Sequence, residues 1–280
     1  MEQTWKKVIE PKNKLLDLKL GELIQYKDLI VMFVKRNFKS AYKQTILGPL
    51  WFIINPLITS VLYTIVFGGI AKISTDGVPQ FLFYMAGNTA WSYFASCLTS
   101  TSSTFTANAG VFGKVYFPRL VMPISTVIYA ILSFLIQLAM MIGFMIYFAV
   151  IGENVHPNMY VLLLPVFVLH MAAMGLGFGI IISSMTTKYR DLSILVGFGV
   201  QLWMYLTPIV YPISTVSDKL KGLIMLNPMA PIICNFKYAF LGCGQMEWGY
   251  WGISAVVTLV VLFVGIIIFN RVEKTFMDTV

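Results

Sequence analysis

The chain alternates between long apolar stretches and short polar ones, and the apolar stretches have the length of membrane-spanning helices. A spanning helix needs about 20 apolar residues, whereas a barrel strand needs only about 10 of alternating polarity. Six stretches qualify as spans, at residues 50–71, 81–98, 120–151, 159–185, 192–210 and 250–269. The pattern predicts an all-α membrane protein with six transmembrane helices, in one domain over residues 48–280.

The region before the first span divides into a charged tail, residues 1–22, and an amphipathic segment, residues 23–47. At 100° per residue, the four cations of the segment share one arc of a helix: Lys35, Arg36, Lys39 and Lys43. Apolar side chains occupy the other side: Leu23, Tyr26, Leu29, Ile30, Phe33, Val34 and Phe38. Such a helix lies in a membrane interface. We therefore predict an interfacial helix that turns into the first span at Gly48-Pro49.

Composition and charge agree with this topology. Hydrophobic residues make up 58% of the chain and charged residues 11%, against about 25% charged in soluble domains. Sixteen of the 20 Lys and Arg residues lie on the side of the membrane that holds both termini. Cytoplasmic loops carry the excess of Lys and Arg, so both termini and the tail are predicted in the cytoplasm.

The polar region between the fifth and sixth spans, residues 211–249, is then external. It predicts two short amphipathic helices, residues 217–226 and 229–241, broken at Asn227-Pro228. Both are too short to cross a membrane, so they re-enter it or cap its outer face. Cys234 and Cys243 share this region and are candidates for a disulfide, although their spacing alone is weak evidence.

The sequence shows no catalytic set. His156 and His170 are isolated, no cluster has metal-ligand spacing, and no phosphate-binding loop is present. The spans hold almost no ionisable side chains that could couple transport to an ion gradient. We therefore predict a transport subunit, not an enzyme, whose energy comes from a partner.

Aromatic side chains recur in the first, second and fifth spans. The candidates for a channel lining are Trp51, Phe52, Tyr84, Trp91, Phe198, Trp203 and Tyr205. Their ring faces offer weak, repeated contacts to sugar rings, but interfacial belts and core packing explain the same residues. Gly175 and Gly179 have the small-xxx-small spacing of close helix packing, and Gly197 and Gly199 are expected to act similarly.

Two cytoplasmic loops are candidate partner contacts. The string "VFGKVYFPR" places Phe112, Tyr116 and Phe117 in a loop, where exposed aromatic side chains need a reason. A groove on a partner is one reason, and folding back onto the chain's own helix ends is the other. The second loop is short and contains "KYRD".

The strings "YKQTILGPLWFIINPL", "GKVYFPRLVMPIS", "KYRDLS", "LTPIVYP" and "LNPMAP" together resemble the membrane subunit of ABC-2 type polysaccharide exporters. The resemblance runs from about residue 25 to 276 and covers O-antigen, capsule and wall teichoic acid exporters alike. It implies a homodimer in the bacterial inner membrane, bound to two copies of a cytosolic ATPase. The ATPase would bind ATP and Mg, with no cofactor in this chain. The external helices would be gate helices.

The resemblance also implies roles for particular residues. The ATPase-coupling residues would be Phe112, Gly113, Lys114, Val115, Tyr116, Phe117, Pro118 and Arg119, with Lys188, Tyr189 and Arg190 as a second contact. A polyprenyl-diphosphate-linked glycan would enter at Lys35, Arg36, Lys39, Lys43 and Arg119. Attraction of these cations to anionic headgroups is the alternative explanation.

Three functions remain open from the sequence. The first is the permease of an ATP-driven exporter of lipid-linked polysaccharide. The second is the permease of an ABC-2 drug or small-lipid exporter. The third is a membrane scaffold for envelope polymer assembly that transports nothing.

Overall fold

A computed structural model describes residues 20–43, 46–115, 117–189 and 191–279. Within these residues the chain forms α-helices, short 3-10 segments and a π-helical stretch over Thr64–Ile70 that continues α3, and no strand occurs. The helices are α1 (Leu20–Gln25), α2 (Lys27–Tyr42), α3 (Trp51–Tyr63), α4 (Gln80–Ser102), α5 (Thr104–Phe112), α6 (Val121–Ile151), α7 (Leu164–Thr186), α8 (Leu192–Tyr205), α9 (Asp218–Met225), α10 (Met229–Leu241) and α11 (Trp248–Thr279). The all-α prediction is confirmed.

Four helical segments among the described residues are long and apolar enough to cross a membrane. They are Gly48–Ile70, Val121–Ile151, Met159–Thr186 and Trp248–Val272. The first contains α3, and the third adds a short 3-10 turn before α7. The chain is thus a multi-pass membrane protein, and these segments match the first, third, fourth and sixth predicted spans.

The second predicted span forms α4, a 23-residue helix that is not among those four segments. It packs against α3, α6, α7, α8 and α10, and polar side chains such as Asn88 and Thr89 are buried with its apolar ones. A helix shielded from lipid by other helices has no need of a fully apolar surface. The central position of α4 therefore explains its mixed composition, and the six-span count stays a prediction.

The fifth predicted span ends early. α8 stops at Tyr205 rather than at residue 210, and a turn containing Pro208 follows. Asn227 stabilises this broken end: the Trp203 Nε1–H donates to Asn227 Oδ1 at 2.8 Å, and Asn227 Nδ2 donates to Thr207 Oγ1 at 2.9 Å. The end of α8 is thereby attached to the turn between α9 and α10.

The predicted close packing at two glycines of α7 is confirmed. A Cβ at Gly175 would lie 2.6 Å from the Cβ of Cys97, and one at Gly179 would lie 2.6 Å from the Cβ of Thr101. Both contacts are with α4, so the two helices approach nearly backbone to backbone. The same expectation for Gly197 and Gly199 is wrong within this chain, because no atom lies within 4 Å of a Cβ at either position.

The two short helices α9 and α10 form as predicted, within a residue at each end. α10 ends at Gly242, whose φ of +74° suits glycine, and a Cβ there would lie 2.8 Å from the carbonyl oxygen of His156. The loop after α6 supplies donors to the last carbonyls of α10, through His156 N to Leu241 O at 3.3 Å and Asn158 N to Ala239 O at 3.0 Å.

The predicted interfacial helix is divided into α1 and α2 and ends at Tyr42. The buried members of its apolar side, Leu23 and Phe33, join a hydrophobic cluster with Phe105, Phe117 and Phe269. α2 also packs along α6. Part of the apolar side therefore faces the protein itself.

Candidate functional site

The four cations of the predicted interfacial helix lie on α2 or directly after its end. Lys35, Arg36, Lys39 and Lys43 are all exposed, and they line one open cleft of about 870 Å³. Its apolar lining includes Met32, Val34, Phe38 and, from α6, Leu132. The cleft combines positive charge with apolar surface, which suits a ligand with an anionic head and a hydrocarbon tail.

Arg36 differs from the three lysines because it is already held by neighbouring groups. Its Nη2 donates to the side-chain oxygens of Asn37 at 3.2 Å and Asn108 at 3.4 Å. Its guanidinium also lies 4.7 Å from the ring centre of Phe33. Since Asn108 belongs to α5, Arg36 joins the interfacial helix to the segment before the first cytoplasmic loop.

The expectation that the aromatic side chains of this loop are exposed is wrong for two of them. Phe112 and Phe117 are each only 4% exposed. Their ring centres lie 5.8 Å apart, and Phe117 also packs on Phe33 of α2 at 5.7 Å. The loop folds back because these rings gain apolar neighbours there. Tyr116 lies outside the described residues.

The exposed part of the loop is its tip. Gly113, Lys114 and Val115 face solvent, whereas Pro118 is half-buried and Arg119 is buried with its guanidinium 5.4 Å from the ring centre of Phe112. The coupling role stays a prediction for the whole set. The tip is the part whose exposure suits contact with a partner.

The second predicted contact lies at the same end of the helix bundle. Lys188 and Tyr189 are exposed beyond α7, and Arg190 lies outside the described residues. Thr186 Oγ1 donates to the carbonyl of Ser102 at 3.1 Å, and the backbone N–H of Phe105 donates to Ser183 Oγ at 3.2 Å. α4 and α7 therefore end side by side, which brings the two predicted contact loops to one end.

The seven candidate channel aromatics fall into two groups. Tyr84 and Trp91 are buried, and half-buried Trp203 lies among Trp91, Phe94 and Phe178 at ring distances of 5.2 to 6.2 Å. These three pack inside the single chain. Trp51, Phe198 and Tyr205 are exposed and Phe52 is half-buried, so these four reach the surface of the single chain.

α8 presents an apolar face that no other part of the described chain covers. Its exposed apolar residues are Ile194, Leu195, Phe198, Leu202 and Tyr205. α3 also exposes apolar side chains, among them Ile58, Val61 and Leu62. An uncovered apolar face in a membrane protein contacts lipid or another subunit.

Sequence reasoning missed Lys237, which is 3% exposed. Its Nζ donates to the carbonyls of Pro208 at 2.8 Å and Ile209 at 2.7 Å, and lies 3.5 Å from the ring centre of Phe83. The available signal was its position as the single charged residue of α10. The nearby Cys234 and Cys243 are free thiols in this structure.

His170 is a buried residue that packs and forms hydrogen bonds between helices. It accepts a hydrogen bond from Trp251 Nε1 at 3.0 Å through Nδ1, and contacts Thr258 Oγ1 at 2.9 Å through Nε2. Among the described residues, no group of three or more His, Cys, Asp or Glu side chains could hold a metal ion.

Comparison with known proteins agrees with these features. Residues 28–241 match the ABC-2 type transporter family. An O-antigen export system permease protein RfbA of Klebsiella pneumoniae is 30% identical over 253 residues, which is 90% of this chain and 94% of the relative. A protein of the same name from Myxococcus xanthus is 28% identical over 264 residues, 92% of this chain and 98% of the relative. The chain is therefore a transport protein that belongs to the ABC-2 type transporter family.

Proposed function

We propose that this chain is the transmembrane permease subunit of an ATP-driven exporter of lipid-linked polysaccharide. The observation that carries the proposal is its similarity, over nine-tenths of its length, to permeases named for O-antigen export. The basic, partly apolar cleft along α2 supports it, because a polyprenyl diphosphate has the matching anionic head and apolar tail.

In this proposal the energy comes from ATP hydrolysis by a separate cytosolic ATPase, which binds ATP and Mg. The exposed loop tip at Lys114 and Val115 and the exposed Lys188 and Tyr189 are its contacts. Because Arg36 contacts Asn108 and Phe33 contacts Phe117, a force on the first loop reaches the interfacial helix directly. Nucleotide-driven motion would thus act on the helix that carries the cleft.

Two copies of the chain would form the transport path. The exposed faces of α3 and α8 meet the partner copy, with Trp51, Phe52, Phe198 and Tyr205 along the route. The protein lies in the bacterial inner membrane with both termini in the cytoplasm, and α9 and α10 act as gate helices on the outer side. The asymmetry of Lys and Arg supports this orientation.

Depletion of the chain tests the function. If it exports lipid-linked polymer, depletion makes the polymer accumulate on the cytoplasmic side while surface polymer falls. Internal polymer would be measured as the fraction that resists a glycosidase added to intact cells but is degraded once the cells are lysed. Surface polymer at the normal level, with none inside, would contradict the proposal.

Export of a drug or small lipid is a second candidate. An apolar groove of about 350 Å³ between α4, α7 and α8 favours it, with Leu98, Phe178, Val196 and Trp203 in its lining. This volume is typical of sites for small ligands. Under this hypothesis depletion leaves the polymer distribution unchanged, while a fluorescent short-chain lipid is retained in the inner leaflet.

A further inference from the structure

Three segments of the chain converge on a small cavity next to the broken end of α8. They are the loop between the first span and α4, the connector between α8 and α9, and the region around the end of α10. The cavity has a volume of about 20 Å³, and its polar lining includes Asp76, Lys237, Cys234 and Cys243. The end of α8 also meets the turn between α9 and α10 through Asn227, and the contacts at this cavity add a second connection.

Lys237 connects α10 to the end of α8. The turn after Tyr205 leaves the carbonyls of Pro208 and Ile209 outside any helix, and buried carbonyls need donors. The Lys237 Nζ supplies both hydrogen bonds, at 2.8 and 2.7 Å. The ring of Phe83 in α4 lies against the remaining side of the Nζ, with its centre 3.5 Å away.

The position of Gly87 shows that α4 accommodates this contact. A Cβ at Gly87 would lie 3.0 Å from the carbonyl oxygen of Ile209 and 3.0 Å from the Cε of Lys237. A larger residue at position 87 would press on both Lys237 and the Ile209 carbonyl that accepts its hydrogen bond. The glycine is therefore part of the arrangement that seats Lys237.

Asp76 lines the cavity and accepts hydrogen bonds from two of the converging segments. Ser214, in the connector between α8 and α9, donates its hydroxyl to Asp76 at 2.7 Å. The Cys243 thiol, just beyond α10, donates to Asp76 Oδ2 at 3.8 Å. The carboxylate also attracts the charge of Lys237 across the cavity.

We propose that Lys237 and Asp76 form a latch that keeps the α9–α10 segment closed over the end of α8, and that this side opens when Lys237 releases the carbonyls of Pro208 and Ile209. The latch stands on the contacts just described. Its meaning as the closed exit of an export path rests on the proposed function.

The native cysteines report directly on the latch. Cys243 lies behind it, whereas Cys97 is fully buried in α4 and reports on global unfolding. The experiment labels the full chain in intact cells with a membrane-impermeant maleimide. Lys237→Met removes the donors but keeps an apolar side chain of similar length. Because the change leaves the buried carbonyls of Pro208 and Ile209 without their donors, we expect Cys243 to label at least about tenfold faster, with Cys97 still protected.

Lys219→Met is the matched control, because Lys219 is exposed on α9 and lines no part of the cavity. It should leave the labelling rate of Cys243 unchanged. An unchanged rate in Lys237→Met would overturn the latch. Labelling of Cys243 only in inverted vesicles would overturn its assignment to the outer face.

If Lys237→Met also makes Cys97 react with the maleimide, that variant has unfolded and does not test the latch. A second variant then tests it. Ser214→Ala removes one exposed hydroxyl from Asp76. Faster labelling of Cys243 alone would support the latch, and an unchanged rate would overturn it. Labelling requires no export, so its outcome is separate from that of the depletion experiment.

Discussion

At the scale of single residues, the buried Lys237 is the group whose charge matters most for the closed structure. Burial lowers its pKa from 10.5 to about 7, while Cys234, Cys243 and Asp76 act in the opposite direction. A neutral amine keeps two N–H donors for the two carbonyls but loses the attraction to the Phe83 ring. The closed arrangement is therefore sensitive to the protonation of one side chain.

This lowered pKa predicts a pH dependence of stability. Between pH 7 and 10.5, the Lys237 amine is more fully protonated in the unfolded chain than in the folded chain. The free energy of unfolding therefore falls as the pH drops towards 7. The dependence levels off below pH 7. Denaturation of the purified protein in detergent between pH 7 and 8.5, compared with Lys237→Met, measures it.

The two thiols set the upper limit of that window. Burial raises the pKa of Cys234 to about 12 and that of Cys243 to about 11. Above pH 9 the unfolded thiols lose protons that the folded ones keep, so their effect opposes that of Lys237. Equal slopes for wild type and Lys237→Met between pH 7 and 8.5 would contradict the prediction.

The cleft along α2 predicts an effect of charge reversal. Lys35 and Lys39 are exposed, whereas Arg36 is held by Asn108 and Phe33. The double change Lys35→Glu and Lys39→Glu should weaken capture of a diphosphate head by about tenfold or more, at roughly 1 kcal/mol for each basic residue removed. Export of polymer should fall accordingly, with normal insertion into the membrane.

Lys72→Glu with Lys219→Glu is the matched control, because both residues are exposed, lie outside the cleft and give the same change of net charge. Normal export in the variant that carries both Lys35→Glu and Lys39→Glu would show that the cleft is not the entrance for the substrate.

At the scale of elements, the packing of α4 against α7 is the central contact of the bundle. Gly175 and Gly179 permit it because their missing side chains leave room for Cys97 and Thr101. This contact aligns the ends of both helices and so positions both candidate partner loops. Its tightness is a matter of shape, since both surfaces are largely apolar.

Gly175→Ala tests this packing. The added Cβ would lie 2.6 Å from the Cβ of Cys97, which cannot rotate away. We expect destabilisation of about 1–3 kcal/mol from overpacking, reduced by the higher helix propensity of alanine. Unfolding in detergent measures it, with Gly143→Ala as the control because no atom lies within 4 Å of that site. Equal stability of both variants would show that α4 and α7 can separate at no cost.

The first cytoplasmic loop and α2 also form one unit at this scale. Phe33, Phe112 and Phe117 pack in series, and Arg36 adds a polar contact to α5. Motion of the loop and motion of the interfacial helix are therefore not independent. In the proposed complex, this arrangement would link the loop that contacts the ATPase to the cleft.

At the scale of the whole molecule, α3 and α8 each expose apolar side chains that the single chain leaves uncovered. Phe198 is 62% exposed, and a Cβ added at the neighbouring Gly197 or Gly199 would meet no atom within 4 Å. Small residues on an exposed helix face permit close approach of another helix. The two-fold arrangement proposed above would bury this face.

A cysteine in place of Phe198 tests the assembly. We expect Phe198→Cys to give an oxidant-dependent covalent dimer in membranes, because the two α8 helices would meet near a two-fold axis. Leu259→Cys is the control, since Leu259 is equally exposed but lies on α11. Equal cross-linking at both positions would indicate random collision instead of a specific interface.

The sequence by itself determined much of the secondary structure, because helix formation in a membrane depends on local apolar length and on backbone hydrogen bonds within each segment. The bounds of α6, α9 and α10, and those of the segment Met159–Thr186 that contains α7, followed from apolar runs and breaks such as Asn227-Pro228. The basic arc of α2 followed from a period of 3.6 residues. The glycine contacts of α7 followed from their spacing.

Only the tertiary structure decided which side chains are inside. Trp91 and Phe112 lie in apolar or aromatic strings whose exposure depends on segments distant in the chain, so no local pattern separates a buried ring from an exposed one. In the sequence, Lys237 is one charged residue of the region after the fifth span, yet its Nζ donates to carbonyls 28 and 29 residues earlier. Burial of a charge depends on long-range partners, and those partners exist only once α4, α8 and α10 have packed.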